Sequence, residues 1–527
     1  MRYSIFALNI PKLFSDLRRV LIPAFALILF AANTSFAVSP PSGLPDDVKK
    51  LIKDAIKLTR LGSLVEAEAL LRRAVELEPK RTEAKVELAY ILTKQRRLAD
   101  AYDMVFPIAQ VELKNPRAYA VLGVTLLNAG RFREARLILY KAINLNRNED
   151  LAWFGYGMLD FYENRIANSL ENLREAVFHE PDDPDYLFSL AQVSARSERY
   201  QEAADAYNRF LHVSNSADAD RRARIKGLIN FLRFLGQTGA LYSSDGNDQT
   251  KVPFELVGNR PIIKLRVNGK GEMLRFVLDT GSGISVISDE TAKKFNIKAI
   301  TRGGFARGIG GNGKFEIVYG MLRQIDIGTV TIRDVPVYIR KFQSSANEVD
   351  GYIGLALISK FLATIDYGDL SFSLTKKDED TRQFRETADI SLPLRLTSSG
   401  FLSGEVQLQG IESPLNFIVD TGASVSVISD RVSKNDGISP FASEEKLRVV
   451  GSAGITDDVA TFLLPRVTFG KHTRQSIMAV ALDLDIINEA SGFEQAGILG
   501  GNFLKNYRLT FDFKNSTVTF VSVKPEN

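Results

Sequence analysis

The 527-residue sequence contains no cysteine. That removes thiol nucleophiles, disulfides, cysteine-ligated zinc and lipidation at an N-terminal cysteine. Histidine is nearly as scarce: His179, His212 and His472 stand far apart, and the first two fall in helical repeat positions. A histidine triad or metal cluster is therefore not expected, and each imidazole reads as a surface or packing group. Asp483 and Asp485 alternate with no histidine or partner cluster beside them, so they too read as structural, and no metal or other cofactor is expected. Neither sign of charge dominates, since 67 Lys and Arg against 63 Asp and Glu leave a net +4. There is no basic run with interleaved aromatics, and nucleic acid is not an expected partner. Acid–base chemistry in this chain must be done by carboxylates.

Long apolar runs are also missing, with one exception. Lys12, Arg18 and Arg19 precede an apolar stretch from Val20 to Ala32, and Ser35-Phe-Ala37 follows before Val38. This predicts a secretory signal over residues 1–37, cleaved after Ala37; if uncleaved, it is a membrane anchor. The rest is expected to be exported, either periplasmic or anchored facing the periplasm. Membrane contact is expected only through this segment.

From 46 to 236 the sequence is helical and repetitive. With a 34-residue period starting at Val48, small residues return at the eighth position (Ala55, Ala89, Gly123, Gly157, Ala191) and the twentieth (Ala67, Ala101, Ala135, Ser169, Ala203). Larger apolar residues hold the twenty-fourth: Leu71, Val105, Leu139, Leu173 and Tyr207. Small residues at those offsets let the two helices of a unit approach closely. The pattern resembles the tetratricopeptide repeat, five units long, with a capping helix over 218–236. The resemblance implies a groove for a protein partner or, alternatively, an internal brace for the second half.

Residues 237–251 are polar and turn-rich and read as a linker. Short β-branched runs with Gly and Asn turns follow, as in the hairpin signal around Asn268-Gly269. Within this half one device occurs twice. Phe276-Val-Leu-Asp-Thr-Gly-Ser-Gly-Ile-Ser-Val-Ile-Ser288 returns as Phe417-Ile-Val-Asp-Thr-Gly-Ala-Ser-Val-Ser-Val-Ile-Ser429, identical at eight of thirteen positions. Each copy reads as strand, tight turn, strand, with a carboxylate at the turn.

Each copy then continues in the same order, with a Gly-rich turn, further strands, an apolar-apolar-Gly element and a short helix. The copies occupy 252–375 and 391–523, with a polar linker, 376–390, between them. This half resembles tandem lobes of the retropepsin-like aspartic proteases. The fold class expected is thus multidomain, an all-α tetratricopeptide-like solenoid followed by an all-β two-lobed aspartic-protease-like domain.

The resemblance implies site residues by position. Asp279-Thr280-Gly281 and Asp420-Thr421-Gly422 match the active-site loops, and Gly354 and Gly500 close the elements that support them. Thr280 and Thr421 are expected to hydrogen-bond across the lobe interface. Ser282 is expected to be able to donate to Asp279, whereas Ala423 at the matching place cannot. Flaps are expected at Gly308, Ile309, Gly310 and Gly311 and at Gly451, Gly454 and Ile455, with Ile309 and Ile455 standing where pepsins place a tyrosine.

Two carboxyl groups about 3 Å apart cannot both ionise cheaply and share one proton. One serves as general base for water and the other as general acid. The expectation is an aspartic endopeptidase acting on a protein or peptide, monomeric through pairing of its own lobes, with a homodimer as the other arrangement. The alternative is a non-catalytic adaptor that binds peptides in the solenoid groove and the β cleft.

Overall fold

Five helix pairs run in sequence, from Val48–Arg60 with Leu64–Leu77 to Pro184–Arg196 with Tyr200–Val213. They belong to a computed structural model that describes residues 47–214, 219–309, 314–342, 349–377 and 389–523. The targeting segment 1–37, Gly310, Gly311 and most of the 376–390 connection lie outside the described residues. Among those described, no helix is long and apolar enough to cross a membrane.

Local chemistry starts several of these helices. The side chains of Asp47, Asn115 and Asp183 accept from free amides of the first turn, and Pro116 and Pro184 occupy positions where no amide donor is needed. Within each pair the small residues make room for large ones. A Cβ on Gly123 would sit 2.6 Å from Leu139, and one on Gly157 would sit 2.8 Å from Leu173. The first helices of the pairs are also laced by charge, between neighbouring pairs and, through Lys94, from the second pair to the fifth. Arg117 pairs with Glu87 at 2.7 Å and Glu149 at 3.2 Å, and Lys94 reaches Asp185 at 2.5 Å.

The amphipathic pattern predicts that the following helix, Ala219–Thr238, closes the solenoid with a polar outer face. Instead it is packed on both sides. Ile225, Ile229 and Leu232 join the solenoid core, while Phe231 stacks on Tyr319 of the first lobe at 4.5 Å. Gly227 lies so close to Arg302 and Gly303 that any Cβ would collide with their backbone. The helix is a bridge because a glycine at 227 lets a strand lie directly against it.

The 237–251 stretch also departs from expectation. Ser243–Gly246 pairs with Val330–Arg333, and the strand Gln249–Val257 pairs along Ser371–Thr375. Polar composition suggests a linker, but a sheet edge needs only backbone donors and acceptors, which these residues supply.

Both β lobes have one topology. The strand leading to Asp279 runs parallel to Gly351–Ile353, which is antiparallel to Ser285–Ser288, itself parallel to the end of Val330–Arg340. The strand leading to Asp420 repeats this with Gly497–Leu499, Ser426–Ser429 and His472–Leu482. The lobes share a sheet beneath the loops, where Phe361–Asp366 pairs antiparallel with Tyr507–Asp512 and the Thr364 and Thr510 hydroxyls meet at 2.9 Å.

The solenoid holds this β unit by the turns between its paired helices. Phe493, fully buried, fits between Phe132 at 4.8 Å and Tyr162 at 5.0 Å. Arg196 lies 3.9 Å over the Phe161 ring and donates to the carbonyls of Thr397 and Ser398. Asn164 donates to Phe513 and Ser516, and Lys360 of the first lobe pairs with Glu198. The brace expected as one of two roles is therefore physically present.

Candidate active site

Each Asp-Thr-Gly sits where a buried strand ends. The amide of Asp279 donates to Ile353 at 3.0 Å, and that of Asp420 donates to Leu499 at 3.0 Å, so both carboxylates leave the backbone at matched places. The threonines cross between lobes. Thr280 Oγ1 donates to the Val419 carbonyl and Thr421 Oγ1 to the Leu278 carbonyl, both at 2.6 Å. Each hydroxyl in turn accepts from the other threonine's amide, at 3.2 and 3.0 Å. Both side chains are fully buried, so these four bonds satisfy groups that water cannot reach.

The grip brings the carboxyl groups together within one chain. A Cβ on Gly422 would stand 2.7 Å from the Asp279 carboxyl, and one on Gly281 would fall on the Asp420 carboxyl. Only glycine leaves room there. The Gly281 amide donates to Asp279 at 2.9 Å; Gly422 and Ala423 donate to Asp420 at 2.7 and 3.2 Å. Gly354 and Gly500 buttress the loops. Their amides donate to Ser285 and Ser426 at 3.1 Å, and a side chain on either would strike the loop backbone.

Burial, the neighbouring Asp420 charge and their mutual hydrogen bond push the Asp279 carboxyl well above the usual carboxylate range. Burial also raises Asp420, while the Gly422 amide and the bond from Asp279 hold it lower. The pair thus takes up a proton more readily than free aspartates.

Each lobe carries a hairpin, Ala299–Arg307 with Lys314–Ile327 and Ala442–Gly451 with Gly454–Phe469. Gly308 and Ile309, after the first strand of one, meet the turn of the other. Ala453 donates to the Ile309 carbonyl at 3.1 Å, Gly308 lies against Ser452, and Arg340 donates to the Ser452 carbonyl. Ile309 packs into an apolar cluster of the second lobe with Ile418, Val427 and Ile498.

One site expectation is corrected. The Ser282 hydroxyl donates to the Ile284 carbonyl at 2.8 Å, a nearer acceptor within its own loop, and not to Asp279. Ile455, 39% exposed, pairs with Val450 at the end of the second hairpin beside Gly451 and Gly454. Elsewhere, Asp366 and Asp512 cap turns, accepting from Gly368 and Asn515, and His472 is buried against Tyr507. Among the described residues no His, Asp and Glu group could hold a metal.

Sequence reading missed Tyr352 and Arg260. Tyr352 precedes the Ile353-Gly354 buttress, is hydrogen-bonded to Arg260, and feels the charge of Asp279. The available signal was its place one residue before a motif already recognised.

A two-lobed β domain holding paired Asp-Thr-Gly loops against each other is the architecture of an aspartic-protease-like domain. Sequence comparison agrees, since residues 263–357 and 404–503 match a family model described as aspartyl protease. Residues 58–122, 116–149 and 155–220 match models of the tetratricopeptide repeat. The chain thus carries tetratricopeptide repeats followed by two segments of the aspartyl protease family model.

No curated protein matches it. Among solved structures, a thermophilic tetratricopeptide protein of Thermus thermophilus is 21% identical over 34% of this chain and 98% of its own, with a TM-score of 0.30. Pseudomonas aeruginosa pilF is 17% identical over 36% and 86%, with a TM-score of 0.27. An aspartic proteinase from Irpex lacteus is 15% identical over 52% and 97%, with a TM-score of 0.36.

Proposed function

We propose that this protein is an exported aspartic endopeptidase, periplasmic or anchored facing the periplasm, in which Asp279 and Asp420 form one dyad. The solenoid recruits a protein partner or the substrate itself. The observation that carries the reading is the crossed threonine grip, which seats each carboxyl against the other loop's glycine. A binding module would not need two carboxyl groups forced to share a proton. Export rests on the N-terminal basic and apolar pattern alone.

In the proposed reaction the ionised carboxylate takes a proton from water as its oxygen attacks the scissile carbonyl carbon. The protonated partner donates to the carbonyl oxygen, giving a gem-diol. Collapse breaks the C–N bond; the amine leaves with a proton and the dyad returns to its singly protonated form. The proton belongs to the pair, so either carboxyl can serve as first donor with the other as base.

The test is cleavage of a mixed peptide library by the full chain from about pH 3 to about 7, with Asp279→Asn and Asp420→Asn beside it. Each substitution is expected to lower turnover at least ~1000-fold, as losing a catalytic acid or base does. Activity surviving either one would break the single-dyad reading. An inactive wild type at every pH would favour a peptide-binding adaptor.

A further inference from the structure

The lobes repeat each other in backbone but not in what they present to the dyad. Strand register fixes the equivalences. Ile263 pairs with Phe276, three residues before Asp279, and Gly404 pairs with Phe417, three before Asp420. Arg260 and Phe401, each nineteen residues ahead of its aspartate, are therefore counterparts. Tyr352 pairs with Val277 as Ile498 pairs with Ile418, and Arg340 pairs with Ser288 as Leu482 pairs with Ser429. At three matched places the second lobe has Phe, Ile and Leu where the first has Arg, Tyr and Arg.

The surroundings follow suit. Phe401, Ile498 and Leu482 form one apolar cluster with Ala423, whose amide bonds the Asp420 carboxyl. On the other side, Arg340 is committed to the Phe315 ring at 3.7 Å and to the opposite flap. Arg260 is held differently. The preceding Asn259 donates to Ser424 of the second active-site loop at 3.0 Å and accepts from Lys505, which pins the strand start at the lobe junction. From there its guanidinium reaches Tyr352 and acts on Asp279.

We propose that the cleft selects peptides with an acidic side chain on the first-lobe side of the scissile bond, held by Arg260 and the Tyr352 hydroxyl. An apolar side chain on the other side lies against Phe401, Ile498 and Ala423. The inference rests on the proteolytic reading for its chemistry, but the charge asymmetry of the cleft stands apart from turnover. A carboxylate facing a guanidinium gains a charge-assisted hydrogen bond that its amide analogue lacks, which corresponds to about 10- to 100-fold in kcat/KM.

The experiment uses the full chain and paired peptides that differ only by Glu or Gln beside the scissile bond, at about pH 6, where glutamate is ionised. Wild type is expected to prefer Glu by about 10- to 100-fold. Arg260→Leu should erase the preference, Arg260→Lys should keep part of it, and Arg260→Glu should turn it toward Lys-containing peptides. Equal cleavage of both peptides by wild type, or a Glu preference that survives Arg260→Leu, overturns the inference.

Binding of the same pair to Asp279→Asn, read by fluorescence anisotropy, separates the two ideas. If wild type cleaves nothing but this variant still prefers Glu, and loses that preference with Arg260→Leu, proteolysis falls and the acidic subsite stands. Equal binding of Glu and Gln peptides overturns the subsite.

Discussion

At the scale of single residues, the threonine grip makes the firmest prediction. Thr280→Val keeps shape but removes the hydroxyl that donates to Val419 and accepts from Thr421, leaving both buried and unpaired. Each orphaned group costs about 1–3 kcal/mol, so urea unfolding should show a loss of about 2–6 kcal/mol. Thr280→Ser should restore most of it. A Val variant as stable as wild type would remove the grip from the account of the site.

The dyad predicts a pH dependence with a definite sign. Both folded carboxyl pKa values are raised above the unfolded value of about 3.9. Below that value both states hold the protons and the pair imposes no ionisation cost. As pH rises through the raised folded values, ionising the buried pair costs the folded state more than the unfolded one, and stability falls. Asp279→Asn should therefore raise the Tm more at pH ~7 than at pH ~4. An equal or smaller gain at neutral pH contradicts the paired-carboxyl picture. The residues of this site were legible because Asp-Thr-Gly chemistry is local and written twice. Ser282 was not, because the choice between Asp279 and the nearer Ile284 carbonyl is set by backbone geometry that the letters do not encode.

Among elements, the bridge helix Ala219–Thr238 and the hairpin of Ala299–Arg307 with Lys314–Ile327 pack as one unit. Phe231 is buried on Tyr319, Arg224 donates to the Phe305 carbonyl, and Asp220 pairs with Lys314. Phe231→Ala should cost about 3–5 kcal/mol of that contact. Hydrogen exchange of the amides in Ala299–Arg307 should speed at least ~10-fold, while the matching strand of the second lobe, Ala442–Gly451, stays as protected as before. Unchanged exchange in the first hairpin would mean the helix does not restrain it. The 34-residue period made the five helix pairs readable, since small and large residues alternate where helices touch. It could not reveal the bridge, because Gly227 reads as one more residue in an amphipathic pattern until a strand is laid against it. The strand Ser243–Gly246 was hidden for a related reason: its stabilisation comes from backbone pairing with Val330–Arg333, to which side-chain polarity is nearly irrelevant.

At the scale of the whole molecule, the solenoid grips the protease-like unit by its helix turns and the helix ends beside them, and the charge pairs between its first helices are a separate feature. The pairs Arg117–Glu87 and Lys94–Asp185 lie outside the contacts to the lobes, so partner recruitment and bracing need not compete for the same residues. The turn-side grip centres on Phe493, whose ring is fully enclosed by Phe132 and Tyr162, with Arg395 lying 4.6 Å over Phe132. Phe493→Asp would bury a carboxylate among aromatic rings, which is far costlier than losing the ring alone, itself about 3–5 kcal/mol. The dyad belongs to the lobes and the shared sheet, so it should survive the undocking. Scanning calorimetry should therefore find one cooperative transition for wild type and two for the variant, the solenoid and the lobes melting apart. Peptide cleavage at low temperature should persist. A single unshifted transition in Phe493→Asp would show that the docked geometry adds nothing to stability. Two transitions with cleavage also lost would show instead that the solenoid holds the lobes in register, making the brace part of the catalytic unit.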